Sequence, residues 1–216
     1  MDYYLIFASA GDVTPVDILI EEFVLCDDFT AAWIDSAAWR SETGAWAAAP
    51  GLSREIRSDP RLRGRARAVG RNAASEAYTL LGGGDLPEEP DLRGHFDDRV
   101  PLPAAAPLDL GTSSGTRRYR ILFAGDLGDE GLMGAREALR LEPTDNPRVV
   151  GTATGSVGGH GFAWELRRIG AGIAWCVDVT VRLGTGPGTA LGALLHHHRQ
   201  AIRDQGLIPV TIERFA

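Results

Sequence analysis

The stretch Ile173-Ala-Trp-Cys-Val-Asp-Val-Thr-Val-Arg-Leu183 decides how the second half of this chain reads. Trp175, Val177, Val179, Val181 and Leu183 alternate with Cys176, Asp178, Thr180 and Arg182. A period of two is the signature of a strand with one face in a core and the other in water. Working backwards, Gly170-Ala171-Gly172 predicts a tight hairpin, and Gly161 to Ile169 a partner strand. In that partner Phe162, Trp164 and Leu166 alternate with Glu165 and Arg167. Before it, the glycine-rich link Ser156 to His160 separates a strand over Arg148 to Gly155. Further back, Arg118 to Gly125 is an amphipathic run leading into a helix over Gly131 to Leu141. Working forwards, Gly184 to Gly188 breaks the strand, Thr189 offers a cap, and a helix over Ala190 to Gln205 ends at Gly206. A last alternating strand spans Leu207 to Phe215.

This order is the split β-α-β-β-α-β pattern with one extra strand, so a ferredoxin-like second half is expected. The first half reads differently. Asp2 to Ser9 is a short apolar strand. After it, Thr14-Pro15 looks like a helix start, and Val16, Leu19, Ile20, Phe23 and Val24 fall at helical spacing. Alanine-rich Asp28 to Ala49, with its tryptophans, and Leu52 to Leu81 extend the helical reading. The expectation is thus an α+β protein with a mainly helical region over 1–84. A connection over 85–116, with five of the twelve prolines, leads to the ferredoxin-like domain over 117–216.

Composition removes several chemistries. All 22 basic residues are arginine, so the chain has no lysine for a Schiff base, a P-loop or a kinase-type strand. A net charge of −7 disfavours nonspecific nucleic-acid binding. The run Tyr3 to Ala10 lacks a basic flank and is too short to span a bilayer, so a cytoplasmic protein without membrane contact is expected. Cys26 and Cys176 sit in apolar surroundings and read as buried thiols.

The polar positions of the predicted sheet mark the candidate site. Glu165, Arg167, Asp178, Thr180, Arg182 and Glu213 share a face if the pleat is regular. They predict a surface for a protein or small-molecule ligand, or for a second copy of the chain. They also fit a solvated face with cross-strand ion pairs, the pattern that any half-exposed antiparallel sheet shows. Arg54 to Arg71 adds an arginine-rich run that suits an acidic partner. Weaker signals are His196-His197-His198, which cannot converge on one ion from a helix, and His95 with Asp97 and Asp98 in the connection. No metal, cofactor or catalytic residue is assigned.

The run Arg182-Leu-Gly-Thr-Gly-Pro-Gly-Thr189 resembles the acyl-CoA pyrophosphate loop of the GNAT acetyltransferases, over about thirty residues to Gly206. Its arginine-to-glycine spacing is one residue shorter than that family's, and the same residues also read as a plain turn and cap. The resemblance implies an acyltransferase, one of two enzyme alternatives to a binding module. The other is a carboxylate acid/base catalyst using Asp178 and Glu165.

Overall fold

The computed structural model describes residues 1–102, 107, 115–170 and 174–216. It divides into two units, Met1–Leu25 with Ala31–Leu102, and Cys26–Thr30 with Pro103–Ala216. Each is built on its own antiparallel sheet.

The first unit corrects the helical expectation. Strands β1 (Asp2–Phe7), β2 (Pro15–Leu25), β3 (Ala31–Arg40) and β4 (Ala45–Ala48) precede helices α1 (Pro50–Ser58) and α2 (Pro60–Arg63). Then follow β5 (Ala66–Val69), α3 (Arg71–Leu80), α4 (Glu89–Arg93) and β6 (Arg99–Pro101). The sheet runs β4-β3-β2-β1-β5, with β6 also on β3. Thr14-Pro15 therefore opens a strand, and alanine-rich 31–48 is a strand pair. The reason is coverage of both faces. On one, Tyr3, Leu5, Ile18, Ile20, Ala37 and Trp39 pack with Ala74, Ala77 and Tyr78 of α3. On the other, Glu21, buried and next to Ile20 along the strand, meets Arg57 of α1 through two bonds of 2.8 and 2.7 Å. A strand covered on both sides loses its alternation, and its apolar positions then fit a helical period equally well. The arginine-rich run is likewise not one exposed helix. Arg65 donates to the Phe7 carbonyl, Arg67 lies over the Phe7 ring, and Arg71 donates to the Tyr3 hydroxyl.

In the second unit the elements are β7 (Thr116–Ala124), α5 (Asp129–Ala138), β8 (Val149–Val157), β9 (His160–Arg168), β10 (Ala174–Arg182), α6 (Thr189–Arg203) and β11 (Ile208–Arg214). The sheet order is β11-β7-β10-β9-β8, antiparallel throughout. This overturns the ferredoxin-like expectation. That fold needs two parallel β-α-β crossovers. Here the extra strand makes the meander β8-β9-β10 odd, so β8 runs opposite to β7 and only β10-α6-β11 joins strands of one direction. Residues 171–173, where the hairpin turn was expected, and most of 103–114 lie outside the described residues.

Tyr119, Ile121, Phe123, Leu166, Val177, Val179 and Val181 form the inner face and are buried with Leu191, Leu195 and Ile202 of α6. The Trp164 indole donates to the Leu139 carbonyl at 3.0 Å and packs against His198, which is buried, whereas the histidine run in the sequence suggests an exposed helix face. The β8-β9 turn needs Gly158 and Gly159, whose φ angles of 58° and 80° are both left-handed.

Candidate functional site

Register assembles the outer face of the second sheet row by row. Across its middle run Glu213, Arg120, Asp178, Glu165 and Thr152, on β11, β7, β10, β9 and β8. One step along lie Arg118, Thr180, Ala163 and Thr154. Phe215 joins this second row, its amide donating to the Arg118 carbonyl at 3.0 Å. On the other side Cys176 faces Leu122 and Arg167.

A depression of about 350 Å³ opens over these rows. Of the six residues expected from the sequence, Glu165, Arg167, Asp178 and Thr180 line it. Arg182 lines an adjoining hollow of about 260 Å³ that shares Thr154, Ala163 and Thr180 with the first. Glu213 stands opposite Arg120 in register but outside the lining. Arg118, Arg120, Thr152, Thr154 and Phe215 complete the wall and were missed by sequence reasoning. Their signal was present: Arg118 and Arg120 alternate with Tyr119, Ile121 and Phe123, as Asp178 does with its valines. Which strand brings them beside Asp178 is a matter of pairing and cannot be read from spacing.

Asp178 is the hub. Arg120 grips both its oxygens, Nε to Oδ1 at 2.6 Å and Nη2 to Oδ2 at 2.8 Å, the bidentate geometry that suits a guanidinium. This bond is the main cause raising the Arg120 pKa. The same guanidinium stacks 4.8 Å above the Phe215 ring. Arg167 is held loosely, its Nη1 3.5 Å from Glu165 and 3.7 Å from Asp178. The Nε atoms of Arg118 and Arg167 are enclosed and meet no hydrogen-bond partner among the described residues. Burial, helped by the Asp178 charge, pushes the Cys176 thiol up to about 12, so the thiol stays protonated at neutral pH.

The loop Gly184–Gly188 has a different job at the end of the same strand. The Gly184 amide donates to His160 Nδ1 at 3.0 Å, which leaves the ring proton on Nε2, 3.0 Å from the Pro187 carbonyl oxygen. A Cβ on Gly184 would overlap the Gly159 carbonyl, and one on Gly186 the Gly158 carbonyl. These glycines thus let the loop sit on the β8-β9 turn, with buried His160 pinning the two together. Among the described residues no group of three His, Cys, Asp or Glu side chains is arranged to hold a metal ion. No described helix is long and apolar enough to cross a membrane.

The chain matches no protein-family model, no curated protein and no solved structure.

Proposed function

We propose that this protein is a binding module that holds a ligand or protein partner on the outer face of its second sheet. Support comes from the concavity. A face that is merely solvated presents alternating charges without a hollow, whereas here guanidinium, carboxylate, hydroxyl and aromatic groups converge on about 350 Å³, within the range of small-ligand sites. The volume favours a small molecule over a flat protein contact.

Binding is better supported than catalysis. Both Asp178 oxygens are engaged by Arg120, and the neighbouring Cys176 thiol is protonated, so neither is poised for proton or acyl transfer. The Gly184 amide, which an acyltransferase loop would offer to pyrophosphate, is engaged by His160. A cytoplasmic setting belongs to the same proposal and is supported by two free cysteines.

The test is amide chemical-shift mapping of the full chain against a panel of cationic, neutral and anionic small molecules. Saturable shifts should centre on 118–120, 152–154, 163–167 and 178–180, and Ala163→Trp, which fills the hollow, should abolish them while the protein stays folded. Shifts that map elsewhere, or survive Ala163→Trp at equal affinity, would overturn the proposal. Shifts at these positions that depend on protein concentration alone would identify a second copy of the chain as the partner.

A further inference from the structure

We infer that the depression takes a small anion, a molecule carrying a carboxylate or phosphate group, bound by Arg118 with help from Arg167. The inference rests on the binding proposal above and adds the charge of the ligand. Three arginines and two carboxylates line the hollow, Arg118, Arg120 and Arg167 against Glu165 and Asp178, a formal sum of three minus two, or +1. That local surplus sits on a chain whose net charge is −7.

The surplus is concentrated where an anion can use it. Arg120 and Asp178 satisfy each other through two short bonds. Among the described residues, no hydrogen bond or ion pair engages the Arg118 guanidinium, and its Nε is shut away from solvent without an acceptor. Arg167 shares that unanswered Nε, and its contacts with Glu165 and Asp178 are long, at 3.5 and 3.7 Å. An enclosed guanidinium N–H without a partner is costly, and its planar fork matches the paired oxygens of a carboxylate or phosphate. Thr152, Thr154 and Thr180 bring hydroxyl groups to the same wall, each able to donate to such oxygens. A cationic ligand would find the central carboxylate already doubly paired.

The probes are inorganic phosphate, acetate and succinate, titrated at constant ionic strength with sodium chloride as the balancing salt. Ethylammonium and glycerol serve as cationic and neutral counterparts. At least one anion should give saturable shifts at the Thr152, Thr154 and Thr180 amides. Arg118→Gln should weaken it about tenfold or more, Arg118→Lys less, and the exposed Arg54→Gln not at all. Thermal melting checks that Arg118→Gln is folded, and Arg167→Gln provides a second variant with the same expected direction. Anion binding of equal affinity in both variants would overturn the inference. If ethylammonium or glycerol saturates these amides and no anion does, the charge assignment fails while the binding face stands. If no probe perturbs the face, the inference fails with it.

Discussion

One bidentate arginine–carboxylate pair in each unit makes a contrast: Arg57 with Glu21 and Arg120 with Asp178 have different surroundings, which give them different meanings. Arg57 and Glu21 are enclosed beneath α1, their side chains 9% and 0% exposed, and Arg57 also donates to Ser53. Arg120 and Asp178 occupy an open face, 26% and 13% exposed, with a second arginine nearby and an aromatic ring beneath. The chemistry of the pairs is the same. Once both partners are cut off from water, loss of one leaves a charge with nothing to solvate it, and the pair acts as part of the frame. A pair at the floor of a hollow can exchange neighbours with solvent or ligand, so its value lies in shaping a surface.

The largest effect should come from the enclosed pair. Glu21→Gln is expected to cost about 3–5 kcal/mol by urea unfolding, because Arg57 stays buried without its partner charge. If the cost were below about 1 kcal/mol, the contrast between the pairs would collapse.

Next is the acid limb of the second unit. Burial, with the His197 charge as a lesser cause, lowers His198 from 6.5 to about 3. Between those values the unfolded chain binds a proton that the folded chain does not. Stability therefore falls as pH drops below 6.5, by up to about 1.4 kcal/mol per pH unit from this group. His198→Leu should flatten the stability profile between pH 6 and 4, and an unchanged slope would show that other groups govern it.

A smaller change is expected at the open pair. Asp178→Asn should cost about 1 kcal/mol or less, and less again in high salt, since the partners are partly solvated. A cost near that of Glu21→Gln would mean the outer face is covered in solution, by a second copy or by other residues of the chain.

Smallest in energy is thiol access. Cys26 is exposed, not buried as its sequence surroundings suggest, so a disulfide reagent at pH 8 should label it at once and leave Cys176 unlabelled in the folded protein. Rapid labelling of both would show that the packing that covers Cys176 on the outer face of the second sheet opens readily.

Legibility followed coverage. In the second unit β10 reads correctly from its alternation because one face is buried and the other is wet, and four of the six expected residues line the depression. In the first unit Pro15–Leu25 and Ala31–Arg40 carry no such contrast. Ile18, Ile20 and Ala37 face α3 while Glu21 faces α1, and the apolar spacing that results imitates a helix. Arg118 and Arg120 were within reach of the same alternation that found Asp178, but only strand pairing sets them beside it.

What the sequence determined by itself is local: the glycine-rich link before β9, the helix that follows Thr189 and ends before Gly206, the alternation of β9 and β10, and the absence of lysine. These depend on backbone conformations and periods that a few neighbouring residues impose. Only the tertiary structure decided that the first half is a sheet, that β8 runs against β7, and that Arg120 meets Asp178 while, among the described residues, the Arg118 guanidinium meets no partner. Pairing and burial join residues tens of positions apart, and the free energy that selects them belongs to the packed whole and to no segment of it.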